Sequence, residues 1–363
     1  MKTLYFFLFL PLITFAQETP VTPAPDLAPV PVPVVAASIP SISVSDLETL
    51  DRDTAFDSMM AALDLQSGNY VFENKTSGTS LGMKIKKAAG GKIGKWLPTN
   101  ESANPEGQVV AYRLGRFLQM SSIVIPSDYY TLRGQPLDQF YRMISSRSER
   151  NQIRYNNQVR LMDAYRRNSS EMFGAISAPI DQFEVANLII AESNTIDSSH
   201  PIANYIQAGS SMPGDRQMSL NGRRNKAGKV GTNSALNLSR EFSKIMVLDI
   251  LTGQYDRWSG GNVEEFFDKD GVVHFISRDN GGSSMVGSGP LSKYFGIVSR
   301  FDRGQIARVR KLAEALQKSS GDVSKVLLMR SSTKALALRL QALLNHVENT
   351  TRRYGEERAF FPN

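Results

Sequence analysis

The sequence contains no cysteine and only three histidines, His200, His274 and His346, in 363 residues. Without cysteine there is no disulfide framework, no thiol nucleophile and no cysteine-zinc site. The histidines are widely spaced and lack the spacing of metal ligands, so neither a histidine-based triad nor a histidine-rich metal site is expected. Any chemistry in this chain is therefore expected to use other side chains.

Long apolar runs are also missing after the first residues. No segment downstream of the N-terminus is long and apolar enough to span a membrane. Lysine and arginine number 42 against 35 aspartates and glutamates, which gives a net charge of +7. This balance favours an anionic ligand, whether a nucleotide, an acidic glycan or a nucleic acid. The length is sufficient for two lobes or domains.

The first 43 residues have the composition of an export signal followed by a tether. Met1-Lys2 is a short positive region, residues 4–15 are apolar, and small residues at a cleavage site follow. We therefore predict a cleaved signal peptide at 1–16 and an exported protein, periplasmic or secreted. No cysteine follows, which excludes a lipoprotein anchor. Residues 17–43 are rich in proline and predict an extended linker.

Residues 70–98 alternate between apolar and polar side chains, which predicts β-strands. Gly90 and Gly91 supply the turn of a hairpin, and we also place them at a nucleotide site. Lys95 lies in the middle of the next strand. A lysine at this position is either a solvated strand residue or a phosphate-binding cation.

A helix start follows the hairpin and favours the phosphate-binding interpretation of Lys95. Asn104 is a good N-cap, and Pro105 suits the first helical position. Glu106 either complements the helix dipole or reaches across to hold Lys95 against phosphates. A strand lysine followed by a helix glutamate is the small-lobe arrangement of kinases.

The stretch from Leu248 to Ser284 carries two aspartates in different settings. Gly253 is expected to end an apolar helix pattern, and Asp256 lies in the turn after it. Asp279 ends an apolar strand pattern, and a glycine-rich loop between the two aspartates ends in Asn262. Each of these is by itself typical of a turn or a cap. Together they match the catalytic half of a kinase site. There, one aspartate positions and deprotonates a hydroxyl, while the asparagine and the second aspartate hold magnesium on the phosphates.

Two basic regions bear on substrates and partners. The glycine-rich stretch 207–233 contains Arg216, Arg223 and Arg224. We assign these arginines to an acidic substrate, the alternative being a mobile surface loop. The basic run at 147–167 is typical of a solvated helix face, the alternative being RNA binding by its arginines and tyrosines, and nucleic acid is not expected as a partner.

The motifs Gly253-Gln-Tyr-Asp256-Arg257-Trp258-Ser-Gly-Gly-Asn262 and Asp279-Asn280-Gly281 resemble the catalytic signature of the secretory-pathway atypical kinases. That family includes the Golgi casein kinase, the proteoglycan xylose kinase and the four-jointed type. The bacterial HipA kinases share the pattern more distantly. Upstream, Lys95-Trp-Leu-Pro98 and the helix at 106–118 are similar to the Lys-Pro strand of the family and the helix after it.

The resemblance implies an α+β fold of two lobes, the atypical protein-kinase-like fold. The kinase-like domain would span 44–363, with a small β-rich N-lobe at about 44–175 and a larger, mostly helical C-lobe at about 176–363. The implied reaction is metal-dependent transfer of a phosphoryl group from ATP to a hydroxyl of an exported protein or a glycan. Mg²⁺ or Mn²⁺ would be the metal.

The resemblance also implies the roles of the site residues. Asp256 would be the catalytic carboxylate, and Asp279 would bind the metal with help from Asn262. Lys95 would contact the phosphates of the nucleotide and be held by Glu106. Catalysis would be mostly positioning and charge neutralisation.

Three positions depart from the family pattern. Trp258 stands where the family usually has histidine, Asn262 lies one residue further from Asp256 than is common in kinases, and Lys95 is not adjacent to Pro98. The shifted lysine and asparagine leave open a pseudokinase that binds nucleotide or activates a partner. The net charge and the basic loop leave open an exported binding protein for acidic polymers.

Overall fold

The structure, a computed structural model, describes residues 54–363 apart from 77, 102, 180–182, 186–188, 191–194, 223, 225–227, 259–261 and 269. The predicted signal peptide and proline-rich linker lie outside the described residues, as does Arg223. Within the described part of the chain, no helix combines the length and the apolar character needed to cross a bilayer.

A small lobe is built around a five-stranded antiparallel sheet with the strand order β1-β2-β3-β5-β4. Its strands are β1 (Tyr70–Asn74), β2 (Met83–Lys87), β3 (Lys92–Pro98), β4 (Ser127–Arg133) and β5 (Glu171–Ser177). Its helices are α1 (Thr54–Ala61), α2 (Pro105–Phe117), α3 (Gly134–Ser145) and α4 (Gln152–Arg167). The strands predicted within 70–98 are confirmed.

Alternation along β2 and β3 separates an apolar face of the sheet from a basic one. Met83, Ile85 and Trp96 are buried in the core of the small lobe, together with side chains from α3 and α4. The Trp96 ring meets Phe140 of α3 edge-on, with the ring centroids 5.1 Å apart. Because successive side chains of a strand point to opposite faces, the lysines between these residues lie on the other side of the sheet.

The rest of the chain forms a larger, mostly helical lobe. Its helices are α5 (Pro201–Tyr205), α6 (Ala235–Thr252), α7 (Leu291–Phe295), α8 (Arg303–Lys318), α9 (Ser320–Val326), α10 (Lys334–Tyr354) and α11 (Glu356–Ala359). Its strands are β6 (Phe183–Val185), β7 (Ile189–Ile190), β8 (Thr195–Ile196), β9 (Gln217–Met218), β10 (Asn233–Ser234), β11 (Val263–Phe267) and β12 (Val273–Ser277). Strand β11 pairs with both β12 and β6.

Helix α6 runs through the core of the large lobe and ends just before Asp256. Ser234 caps its first turn by accepting the backbone amide of Asn237. Gly253 ends it in the left-handed region, at φ 64°. A Cβ at Gly253 would lie 2.4 Å from the guanidinium carbon of Arg339, so the position requires glycine for space as well as for conformation.

Helix α2 connects the two lobes. Asn104 caps it by accepting the Glu106 amide, and Pro105 opens it, as the sequence predicts. Several of its buried apolar residues, Val110 and Leu114 among them, belong to the core of the large lobe. A change in the position of α2 would therefore move the small-lobe side of the cleft relative to the large lobe.

Candidate active site

A cavity of about 360 Å³ lies between the sheet of the small lobe and the segment that follows β12. Strands β1 to β3 form one wall, and Arg278 to Asn280 lie on the opposite side. The residues that line it are Glu73, Lys84, Ile85, Lys86, Lys92, Gly94, Lys95, Gln108, Ile125, Ser127, Ser177, Ala178, Pro179, Arg278, Asp279 and Asn280.

The turn that carries Asp256 is attached to the segment after Asp279. The amide of Tyr255 donates to the carbonyl of Gly282 at 3.2 Å. The side-chain amide of Asn262 donates to Asp256 Oδ2 at 3.2 Å. The structure thus brings Asp256, Asn262 and the Asp279 segment together.

Arg257 is a buried residue that ties these parts to one another. Its guanidinium pairs with Asp249 of α6 at 2.8 Å, and the two side chains are 0% and 1% exposed. Its remaining hydrogen bonds go to the Ser277 hydroxyl, the Arg278 and Asn262 carbonyls and the Asn280 side-chain oxygen. One cation therefore joins the end of α6, the loop before β11 and the turn after β12.

The sequence analysis did not predict the buried ion pair of Arg257, although Asp249 could have indicated it. Asp249 interrupts the apolar run of a helix that is buried around most of its circumference, eight residues before Arg257. A carboxylate in such a helix needs a partner. Burial opposes the charge on Arg257, but the Asp249 carboxylate outweighs it and raises the pKa of the guanidinium above its ordinary value.

Asp279 pairs with Lys95 across the cleft, with Lys95 Nζ and Asp279 Oδ1 2.7 Å apart. The Asp279 backbone is left-handed at φ 48°, which is uncommon for a residue other than glycine and occurs often at functional sites. Burial would raise the pKa of Asp279, but Lys95 and Arg278 outweigh it and hold that pKa well below its usual range. Its carboxylate is therefore ionised at neutral pH.

Glu106 does not pair with Lys95, and that expectation is corrected. Its Oε1 accepts the backbone amides of Arg330 and Ser331 and the Ser331 hydroxyl, each at 2.7 Å. Helical periodicity explains the difference, because Glu106 and the residue two positions later point to different faces of α2. Glu106 thus binds the large lobe.

The segment that Glu106 contacts, residues 327–331, touches the small lobe at two further points. The Tyr129 hydroxyl donates to the Leu328 carbonyl at 2.9 Å. The Arg330 guanidinium carbon lies 3.9 Å from the centroid of the Phe173 ring. We call residues 327–331 the interlobe segment.

The residue of α2 that faces the cavity is Gln108. It is 5% exposed, and its Oε1 accepts the Ser177 hydroxyl at 2.7 Å. A neutral amide therefore occupies the cleft where a helix glutamate was expected.

The two glycines that were expected at the nucleotide site do not line the cavity, and a lysine that was not expected is buried near it. Gly90 and Gly91 lie in the exposed turn between β2 and β3 and are not among the lining residues. Lys75, in the loop between β1 and β2, is buried and donates to the Ser80 hydroxyl at 2.7 Å and to the Ser80 carbonyl at 3.1 Å. Burial, with nearby Lys95, lowers the pKa of Lys75 to about 8.

Arg216 and Arg224 lie away from the turn that carries Asp256. The carbonyl of Arg216 accepts the amide of Ala235, the first residue of α6. Asp256 follows the other end of this 18-residue helix, which is about 27 Å long at 1.5 Å per residue. Arg224 donates to the carbonyl of Gly228 within its own loop. Neither arginine lines the cavity.

The side chains in the cleft suit a metal-bound phosphate group by type. Magnesium usually takes one or two protein carboxylates together with substrate phosphates. Asp279 lines the cavity as an ionised carboxylate, and its side chain is 38% exposed. Asn262 adds an amide beside Asp256. Among the described residues there is no group of three or more histidine, aspartate or glutamate side chains arranged to hold a metal ion.

Comparison with known proteins adds evidence on the fold. No protein-family model matches this sequence, and no curated protein does. Among solved structures, the crystal structure of the Golgi casein kinase with Mn/ADP bound matches with a TM-score of 0.54. The match covers 84% of this chain and 78% of that chain, at 11% sequence identity. The chain has a bilobal, kinase-like α+β fold, and the predicted fold class is confirmed.

Proposed function

We propose that this chain is an exported atypical kinase that transfers the γ-phosphoryl group of ATP to a hydroxyl of a protein or a glycan. The observation that carries the proposal is the pairing of Lys95 with Asp279, which are 184 residues apart in the chain. It brings the small-lobe cation to the segment after β12, which is hydrogen-bonded to the turn that carries Asp256 and is followed by Asn262. Likeness of fold alone would not support an activity, because one fold hosts many functions.

Each side chain has a role that follows from its surroundings. Asp256 orients the incoming hydroxyl and accepts its proton late in the transfer. Lys95 binds phosphate oxygens of the donor from the small-lobe side. Asp279 and Asn262 would hold Mg²⁺ or Mn²⁺, which when bound neutralises charge on the phosphates. Arg257 touches no reacting atom and acts as a positioning residue for all three large-lobe groups.

A second candidate, a nucleotide-binding pseudokinase, is favoured by one observation. In active protein kinases the strand lysine pairs with a glutamate of the small-lobe helix. Here that helix presents neutral Gln108 to the cavity, and Lys95 pairs with Asp279. A lysine that stays on the metal-binding aspartate would compete with the metal ion for that carboxylate.

The test is ATP consumption by the purified chain with and without Mg²⁺ or Mn²⁺. We expect turnover that requires the metal and is lost in Asp256→Ala. Asp215→Ala is the matched control, because Asp215 is exposed and lies before α6, at the end remote from Asp256. Metal-dependent ATP binding without turnover would establish the pseudokinase. Absence of both binding and turnover would reject the kinase proposal.

A further inference from the structure

The loop between β1 and β2, residues 75–82, buries a lysine beside the cleft. Lys75 is 7% exposed, and its ammonium donates to the hydroxyl and the carbonyl of Ser80. The loop is closely packed on this group, because a Cβ at Gly78 would lie 3.0 Å from Lys75 Nζ. An ammonium has three N–H donors. Two of them bind Ser80, which leaves one donor for a further acceptor.

The side chain of Lys75 lies on the face of the sheet that borders the cavity. Its amide donates to the carbonyl of Gly82 at 3.1 Å, which extends the pairing of β1 with β2 by one residue. Because side chains alternate along a strand, Lys75 shares a face with Glu73, which lines the cavity. In the same register Glu73 pairs with Lys84, and Lys84 pairs with Lys95. Lys75 and Lys95 are therefore on one face of the sheet.

Helix α4 fixes the position of this loop from the other side. Arg154 donates to the carbonyl of Gly78 at 2.6 Å and to the carbonyl of Lys75 at 3.3 Å. Asn157 donates to the carbonyl of Thr79 at 3.2 Å. Arg154 and Asn157 are both buried, at 6% and 0% exposed. The Lys75 ammonium is therefore held in place before any ligand binds.

The charges that surround Lys75 are mostly positive. Burial lowers the pKa of Lys75 most, and the charge of Lys95 lowers it further. Arg154 and Arg278 act in the same direction, and Asp279 acts against them. The Asp279 carboxylate is itself paired with Lys95, and neither bond of Lys75 goes to a carboxylate. Because a buried charge is costly without a partner, a bound anion would stabilise this cation.

We propose that Lys75 is a second phosphate-binding residue of the cleft, which binds the phosphate groups of the donor together with Lys95. The proposal rests on the proposed function in one respect, namely that Lys95 and Asp279 mark where these phosphates lie. Lysine binds phosphate oxygens as a point charge. A phosphate oxygen would accept the third N–H of Lys75, while Ser80 holds the ammonium in place.

The experiment is titration calorimetry on the full chain with ADP, inorganic pyrophosphate and adenosine, each with and without Mg²⁺. The test variant is Lys75→Gln. One control is Lys87→Gln, which removes the same charge from an exposed position of the same sheet that does not line the cavity. The other control is Ser80→Ala, which weakens the attachment of Lys75 to its loop and keeps the ammonium. Thermal unfolding establishes that the variants are folded.

We expect Lys75→Gln to lose about tenfold or more in affinity for ADP and for pyrophosphate, because a hydrogen bond between two charged groups is removed. Adenosine carries no phosphate, so its affinity should not change. Lys87→Gln should bind all three probes as the parent does. Ser80→Ala should bind ADP within about threefold of the parent, because the Ser80 carbonyl still accepts from Lys75.

A second measurement needs no substitution of the parent chain. At pH 8 part of the Lys75 ammonium is deprotonated, since burial and Lys95 lower its pKa to about 8. A bound phosphate raises that pKa, so ADP binding at pH 8 should take up a fraction of a proton. Calorimetry in two buffers of different ionisation enthalpy measures the uptake. A lysine that only braces its loop would give none, and Lys75→Gln should abolish it.

Four results would overturn the role of Lys75. They are unchanged ADP affinity in Lys75→Gln, an equal loss in either control, a parent that takes up no proton, and a parent that binds neither ADP nor pyrophosphate. Loss of ADP affinity confined to Lys75→Gln, in a chain without ATP turnover, would reject the kinase and keep the phosphate-binding residue. Metal-dependent turnover with unchanged ADP affinity in Lys75→Gln would do the reverse.

Discussion

The two sides of the cleft are held together in different ways. On the large-lobe side, Arg257 and Asp249 are buried, and their hydrogen bonds fix the turns that carry the acidic residues. On the small-lobe side, Lys84 and Lys86 reach the cavity from the surface and face other lysines. A network of buried, fully bonded groups is organised before any ligand arrives. On the small-lobe side the ion pairs, Lys86 with Glu73 and Lys95 with Asp279, are partly exposed to solvent.

The largest expected effect comes from a substitution of the catalytic carboxylate on the large-lobe side of the cleft. Asp256→Asn keeps the size of the side chain and removes its charge, so turnover should fall by about two to four orders of magnitude. Nucleotide affinity should stay within a few-fold of the parent, because Lys95 and Asp279 remain. Asp279→Ala should instead remove the effect of Mg²⁺ on ATP affinity. Equal loss of nucleotide binding in both variants would contradict this division of roles.

The next effect tests whether the large-lobe side depends on one buried cation. Arg257→Ala leaves Asp249 buried without its partner, which should lower the free energy of unfolding by about 3–5 kcal/mol. Denaturant unfolding measures this. Arg352→Ala, which removes an exposed partner of Glu348, should cost less than about 1 kcal/mol. A double Asp249→Ala/Arg257→Met variant should lose less than the sum of its parts.

A pH effect of intermediate size arises from Glu264, which pairs with Arg278 at 2.6 Å. Burial, against the pull of Arg278, raises the pKa of Glu264 to about 7, compared with about 4.3 in an unfolded chain. Between these values the folded state binds more protons than the unfolded state does, so this group lowers stability as pH rises. The loss of stability is at most about 4 kcal/mol, at about 1.4 kcal/mol for each unit of pKa shift.

Glu264→Gln should remove this decrease of stability with rising pH, because glutamine does not titrate. Between pH 4 and pH 8, the free energy of unfolding should decrease less steeply with pH in the variant than in the parent. Glu348→Gln, at an exposed position, should leave the slope unchanged. A variant slope as steep as that of the parent would show that Glu264 is ionised across this range.

The smallest effect concerns the hydrogen bonds that join the small lobe to the interlobe segment. Tyr129→Phe removes the hydroxyl that donates to the Leu328 carbonyl and should cost about 0.5–1.5 kcal/mol. Glu106→Gln should cost a similar amount by weakening three bonds to the interlobe segment. Since both act on one segment, the double variant should lose less than the sum. Strict additivity would show that the two contacts act independently.

Local patterns in the sequence predicted much of the framework. Asn104-Pro105 marked the start of α2, Gly253 marked the end of α6, and the alternation in 70–98 marked the first strands. These features depend on neighbouring residues alone, namely capping, left-handed conformation and strand periodicity. The site motif likewise predicted that Asp256, Asn262 and Asp279 would be grouped.

Local sequence patterns could not predict which residues pair across the two lobes. Lys95 and Glu106 are close in sequence and opposite in charge, yet Lys95 pairs with Asp279 and Glu106 with residues 330 and 331. Which face of α2 points into the cleft depends on how the helix packs against both lobes. A shift of two residues along a helix turns a side chain by more than half a circle.

The sequence by itself determined the secondary structure around the site and the residue types available for phosphoryl transfer, because caps, turns and periodicity are local. Only the tertiary structure decided that Arg257 is the buried hub of the site, that Gln108 rather than Glu106 enters the cleft, and that lysines of two strands face one another across its wall. Those outcomes depend on distant segments that compete for the same charged groups, and burial makes the choice among partners energetically large.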